Sequence, residues 1–191
     1  MLEVELKSVV DDLDLRRQRV EAAGAVLRFA GRIEDRRYDT AERALRLRDH
    51  VLRTRVRRQS GDVAGRATID WKGPTFETDG YKVREELVVG IEDQRTLAAV
   101  LERLGYGVTE SIDREIWEYE LDGATIRFER YPRMDSLVEV EGSPDAIERA
   151  VSATGLPRDG FTAERLSDFV RRFEMRTGSR AVLAAGQSIK G

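Results

Sequence analysis

The sequence predicts an α+β fold: a closed or nearly closed antiparallel barrel of eight strands, forming a tunnel with a charged interior and with helices packed outside. Three observations lead there. Segments 2–8, 51–58, 66–72, 81–89, 112–121, 124–131 and 136–142 alternate between two residue types, the mark of strands with unlike faces. Short turn signals (Ser60-Gly61-Asp62, Gly73-Pro74, Asp79-Gly80, Asp122-Gly123) demand antiparallel neighbours. Four amphipathic helices can cover an apolar outer surface, leaving the charged faces inside, the inverse of an ordinary small barrel.

The elements follow in chain order. Because alternate side chains of a strand point opposite ways, segment 2–8 sets Glu3, Glu5 and Lys7 against Val4 and Leu6. Segment 11–24 opens with acidic residues, spaces Leu13, Val20 and Ala23 helically, and ends at Gly24. Arg53, Arg55 and Arg57 then oppose Leu52, Thr54 and Val56; Thr68, Asp70 and Lys72 oppose Ile69 and Trp71. In 81–89, Lys82, Arg84 and Glu86 oppose Val83 and Leu87, and Glu85 breaks the pattern. Helix 93–104 carries Leu97, Val100, Leu101 and Leu104 and stops at Gly105. Strands 112–121 and 124–131 flank a two-residue hairpin turn, the second opposing Thr125, Arg127 and Glu129 to Ile126 and Phe128. In 136–142, Glu139 and Glu141 oppose Val138 and Val140. Ser143-Pro144 caps a helix with Ile147, Ala150 and Val151 on one face, ended by Gly155. Helix 162–177 aligns Leu166, Phe169, Val170 and Phe173 before Gly178. Residues 1–178 therefore read as one domain, and 179–191 as a flexible tail.

Composition narrows the chemistry. The 191 residues are 40% hydrophobic and 36% charged, with a net charge of −3, so neither disorder nor a global basic field for nucleic acid is expected. No apolar run is long enough to span a bilayer, and Glu3 in the first residues is incompatible with a signal peptide, so a cytoplasmic protein is expected. There is no cysteine and a single histidine, His50, which excludes disulfides, thiol catalysis and multi-histidine metal sites. His50 reads as a loop residue, Trp71 and Trp117 as packing residues, and Gly73-Pro74 as a turn. Only four of the 33 basic residues are lysines. Arginine forks suit phosphate oxygens.

What stands out is like charge gathered on single faces. Glu3 with Glu5, Glu139 with Glu141, and Arg53 with Arg55 and Arg57 repel unless opposite charge lies between them. Acidic clusters suit divalent cations and basic clusters an anion. Both on one surface suggest a polyanion bound together with its metals.

These residues also resemble a known family. Glu3-Val4-Glu5-Leu6-Lys7 resembles the ExExK signature of the CYTH superfamily, the triphosphate tunnel metalloenzymes. In the family's order follow Tyr38-Asp39, Leu52-Arg53-Thr54-Arg55, Trp71-Lys72-Gly73-Pro74, Arg84-Glu85-Glu86, Phe128-Glu129 and Glu139-Val140-Glu141. The family's Lys-x-Arg on the fifth strand reads Ile112-Asp113-Arg114, so only Arg114 carries over. The resemblance implies Mg²⁺ or Mn²⁺ held by Glu3, Glu5, Glu129, Glu139 and Glu141. It implies catalytic roles for Lys7, Arg55 and Lys72. Triphosphate would be bound by Lys7, Arg53, Arg55, Lys72, Arg84 and Arg114, with Lys82, Glu86 and Arg127 added by their place on the inner face. The closest branch is the class IV adenylyl cyclases, which turn ATP into cyclic AMP and pyrophosphate. Thiamine triphosphatase or inorganic tripolyphosphatase is the alternative, and a non-enzymatic polyphosphate or nucleotide binder the third. The partner expected is a small-molecule triphosphate, with no nucleic acid or membrane, bound by a monomer or homodimer.

Overall fold

The computed structural model describes residues 2–61 and 65–184. Among the described residues, nine strands form one antiparallel sheet: β1 (Leu2–Val9), β2 (Val26–Asp39), β3 (Val51–Gln59), β4 (Arg66–Lys72), β5 (Phe76–Thr78), β6 (Tyr81–Ile91), β7 (Gly107–Leu121), β8 (Ala124–Arg130) and β9 (Leu137–Glu141). Their order is β1-β9-β8-β7-β2-β3-β4-β6, and β6 pairs back to β1, which closes an eight-stranded barrel; β5 adds to β6 beyond the end of β4. β1 is the closing strand. Its first half pairs with β6 (Glu3 opposite Arg84, Glu5 opposite Lys82) and its second half with β9 (Lys7 opposite Glu139). Asp122 and Gly123 both take positive φ (48° and 81°), as the tightest hairpin turn between β7 and β8 requires.

The main core lies outside the barrel. Leu6, Ile126, Phe128, Val138 and Val140 face outward and pack with Val20 of α1 (Leu13–Ala22) and Ile147, Ala150 and Val151 of α4 (Pro144–Thr154). Ser143 caps α4 by accepting from the Ala146 amide, and Gly155 ends it at φ +66°. Two further helices, α2 (Ala44–Leu47) and α3 (Gln94–Arg103), join β2 to β3 and β6 to β7. The helix α5 (Leu166–Thr177) sets Phe169, with Leu166 and Val170, against Ile112, Tyr131 and Leu137. No helix among the described residues is long and apolar enough to cross a membrane.

Three features differ from the sequence reading. Strand β2 was not expected: its outward residues Arg32, Glu34 and Arg36 are charged, and its inward ones mix Phe29 and Ile33 with Asp35 and Arg37, so it shows no continuous apolar face. That outer face is held instead by ion pairs, Glu34 to Arg58 and Arg36 to Asp113. The tail expected from residue 179 is docked as far as 184. Val182 bridges Arg133, the Leu183 carbonyl accepts from the Asp113 amide at 2.7 Å, and Leu183 and Ala184 are buried. Residues 185–191 lie outside the described residues. Finally, the interior is not charged throughout: Phe29, Ile33 and Ile116 form an apolar cluster in inward register, with the Arg57 guanidinium 4.4 Å over the Phe29 ring.

Because β1 alone joins β6 to β9, deletion of residues 1–7 is expected to open the barrel. The cooperative thermal transition should be lost. A truncated protein that melts at the wild-type temperature would contradict this closure. In the outer core, Phe128→Ala should cost about 3–5 kcal/mol, measured by denaturant unfolding. The exposed Leu104→Ala should stay within about 0.5 kcal/mol.

Candidate active site: a charged tunnel

Inward-facing residues of all eight barrel strands line one cavity of about 690 Å³. Every side chain singled out from the sequence as a candidate metal, phosphate or catalytic residue borders it. Its mouth is bordered by exposed Arg43 and Arg46 at α2 and by Arg165 just before α5. There Arg165 reaches Asp49 at 2.7 Å, and Asp49 also accepts from the Thr75 amide.

Strand register explains how so many charges stay buried. Across β1, β9, β8 and β7 runs a row of alternating sign: Lys7, Glu139, Arg127, Glu118. Lys7 and Arg127 both contact Glu139, and Arg127 reaches Glu118 at 3.0 Å. A second row links Asp35 on β2 to Arg55 on β3, and a third Arg53 on β3 to Asp70 on β4. Opposite charges across a strand boundary offset the large desolvation penalty of each alone.

The rule fails where Arg37 faces Arg53 across the β2–β3 boundary, and on the acidic side at Glu5. Glu5 lies beside Glu141 across the β1–β9 boundary. Glu3, Glu139 and Glu141 each offer an oxygen within 4.8 Å of the others. Glu3 contacts Lys72, and Glu139 is shared by Lys7 and Arg127. Glu141 makes no hydrogen bond or ion pair among the described residues. Burial, then Glu139 and Glu3, push the Glu141 carboxyl up to about 7. Glu141 is thus the one acid of the trio with no direct ion pair among the described residues, and an all-oxygen donor set of this size fits Mg²⁺ or Mn²⁺.

The structure divides the acids expected to bind metal. Glu3, Glu139 and Glu141 come together. Glu5 is engaged by Lys7 (2.7 Å) and Lys82. Glu129 accepts from Arg114 Nε (3.0 Å) and from the Tyr131 hydroxyl. Among the cations, burial alone would lower the Lys7 ammonium, but Glu139 and Glu5 outweigh it and hold it above its ordinary range. Lys82 shifts the other way, depressed by burial and by Lys7. Lys72 sits between Glu3 and Glu86, the latter at 3.4 Å. Arg84 is turned to structure, its Nε donating to the Gly73 carbonyl at 2.8 Å and its Nη2 to that of Asp49. That contact ties the Gly73-Pro74 turn to the mouth.

Sequence reasoning missed Asp35, Glu118 and Tyr131, and gave Asp70 a face but no role. Asp35 was legible in principle. Counting back by two from Asp39 along an extended chain puts Asp39, Arg37 and Asp35 on one face, and all three line the cavity. Trp71 and Trp117 do not line it; Trp71 meets His50 edge-on at the mouth, and Trp117 lies against Arg17 and Arg130.

A family model for the CYTH domain matches residues 1–145. No curated protein matches the chain. Among solved structures, a candidate adenylate cyclase from Vibrio parahaemolyticus superposes with a TM-score of 0.75 at 19% identity, over 90% of this chain and 98% of that one. The PH1819 protein of Pyrococcus horikoshii gives 0.74 at 23% identity, over 89% and 98%. A candidate adenylyl cyclase from Hippeastrum, described as having a dominant triphosphatase activity, gives 0.65 at 16% identity, over 95% and 98%. These likenesses establish the fold.

The raised Glu141 carboxyl fixes the sign of a pH effect. As pH rises from about 4.5 to about 7, the unfolded chain loses this proton while the folded chain keeps it, so metal-free stability falls. A bound divalent ion removes that penalty. Mn²⁺ should therefore raise Tm most above pH 7 and progressively less below it, and Glu141→Gln should abolish this dependence. A Mn²⁺ effect that is flat between pH 5 and 8 in wild type would contradict the cluster.

The two kinds of ligand should also fail differently in kinetics. Glu141→Gln should weaken metal activation and be partly rescued by excess Mn²⁺. Lys72→Ala should raise KM for triphosphate without rescue. Each loss should be on the order of 30- to 4,000-fold in kcat/KM. Variants within a few-fold of wild type would place these side chains on a solvated face.

Proposed function

The chain belongs to the CYTH family, and on that premise we propose that it is a divalent-metal-dependent enzyme that holds a triphosphate inside its barrel. Support comes chiefly from one observation: a trio of clustered carboxylates, one of them with no direct ion pair among the described residues, lies in the same cavity as inward-facing arginines and lysines. Phosphoryl and nucleotidyl transfer depend on positioning and on neutralising charge in a site shielded from water. A metal bound at Glu3, Glu139 and Glu141 supplies Lewis-acid neutralisation of the phosphate oxygens.

The protein's own groups divide the remaining work. Lys7, whose ammonium Glu139 and Glu5 hold above its ordinary range, would donate a hydrogen bond to a phosphate oxygen. Lys72 and Arg127, each beside an acid of the trio, face the same phosphate chain. Arg53, Arg55 and Arg114 bind it from the β2, β3 and β7 side.

For the organic part of the substrate the mouth offers His50, Val51, Leu52 and Leu166 beside Arg43 and Arg46. This mixed apolar and basic rim favours a nucleotide, and with the ExExK, KGP and RxE segments it supports the adenylyl cyclase-like reaction on ATP. Hydrolysis of a triphosphate is the second reading. It is favoured by the charge density of the cavity and by the activity described for the Hippeastrum protein of the same fold.

Incubation with ATP, thiamine triphosphate and tripolyphosphate, each with Mg²⁺ or Mn²⁺, distinguishes them. Cyclic AMP with stoichiometric pyrophosphate is the expected outcome with ATP. Orthophosphate without a cyclic product would replace the cyclase by the hydrolase. No turnover of any triphosphate would refute the enzyme reading.

A further inference from the structure

Asp35 is a buried acid of the cavity wall that the roles above leave unused. It is only 1% exposed and lies on β2, between β3 and β7. Its Oδ1 accepts from Arg55 Nε at 2.8 Å, and its Oδ2 from Arg55 Nη2 and Arg114 Nη1, both at 2.9 Å. Arg53 Nη1 stands 3.7 Å from the same Oδ2. Two of the guanidinium groups are fixed at a second point as well. Arg114 Nε donates to Glu129 at 3.0 Å; Arg53 Nε donates to Asp70 at 2.8 Å, and the Thr68 hydroxyl holds Asp70 at 2.7 Å. Arg55 Nη1 and Arg114 Nη2 make no hydrogen bond among the described residues. Neither is among the polar atoms sealed away from solvent, and both arginines line the cavity.

We infer that Asp35 is a positioning residue, which gathers Arg53, Arg55 and Arg114 into one fan whose remaining N–H groups receive a single phosphoryl group of the substrate. This rests on the triphosphate reading of the cavity and specifies how one part of it works. Three guanidinium groups at such range repel one another, and without a shared carboxylate they would spread apart. Each has five donors, so two or three can be committed to the wall while the rest stay available. Fixing them beforehand removes the rotamer entropy that ordering long side chains on binding would otherwise cost.

Asp35 does not act as a removable stand-in for the ligand. Its side chain is short, it lies in the wall, and both oxygens are already engaged by fixed donors. Burial opposes its charge, but Arg55, Arg114 and Arg53 outweigh this and keep the carboxylate ionised.

The test uses the full chain, free of divalent metal so that nothing turns over, titrated calorimetrically with inorganic tripolyphosphate and with pyrophosphate. Pyrophosphate is short enough to be held by Lys7, Lys72 and Arg127 alone. Asp35→Asn adds net positive charge, so a mere counter-charge role predicts tighter anion binding. Positioning predicts weaker binding, by about 10- to 100-fold for tripolyphosphate, with a much smaller change for pyrophosphate. Asp35→Glu keeps the charge but displaces the fan; it should fold even if the amide variant does not, and show the same loss of selectivity. Tighter or unchanged tripolyphosphate binding in a folded variant overturns the inference. So does an equal loss for both anions, which would mark general damage. A wild-type protein that binds neither anion overturns the triphosphate reading itself, and this inference with it.

Discussion

Pairing of opposite charges across adjacent strands is the interaction on which this structure depends. A closed sheet with its apolar side outward must put something polar inside. Unpaired buried charges would each cost several kcal/mol. The register solves this by setting Lys7, Glu139, Arg127 and Glu118 in a row across four strands, and Asp35 against Arg55 in another. A shift of one residue in any strand would turn its charges outward and its apolar residues inward, so the same pairs that neutralise the interior also fix the register. Helices α1 and α4 then cover the apolar exterior of β1, β7, β8 and β9.

Function follows from where this pairing is incomplete. Among Glu3, Glu139 and Glu141, Glu141 has no direct ion-pair partner among the described residues, and a divalent ion is the simplest complement to the clustered carboxylates. On the opposite wall Arg53, Arg55 and Arg114 share Asp35, and Arg55 Nη1 and Arg114 Nη2 make no hydrogen bond among the described residues, so an anion is their complement. A metal–polyanion complex satisfies both at once, and its own charges take over the role that Lys7–Glu139 and Lys72–Glu3 play without it. Preorganised charge of this kind is also what lowers the barrier to transfer at phosphorus.

Much of this was legible in the sequence because inward charge and outward apolar residues alternate cleanly in β1, β3, β4, β8 and β9. The ExExK start and the two C-terminal acids gave the carboxylate cluster directly. Strand β2 was illegible for a physical reason: Arg32, Glu34 and Arg36 on its outer side are partnered by ions instead of covered by a helix, so periodicity of hydrophobicity vanishes there. With β2 went Asp35, whose meaning comes only from arginines distant in sequence. Partner choice was likewise invisible. Nothing in local sequence tells that Glu129 is taken by Arg114 and Tyr131 while Glu141 has no direct ion pair among the described residues. The docking of residues 181–184 depends on exposed backbone at Arg133 and Asp113, which composition does not show.

The central claim is that one barrel interior binds a divalent ion on its acidic wall and a triphosphate on its basic wall. A crystal structure with Mn²⁺ and a non-hydrolysable triphosphate analogue, read through the manganese anomalous signal, tests it most directly. The account predicts a manganese peak among Glu3, Glu139 and Glu141, with phosphoryl oxygens within hydrogen-bond distance of Arg55, Arg114 and Lys72. Manganese elsewhere, or an analogue bound only outside the barrel, would contradict it.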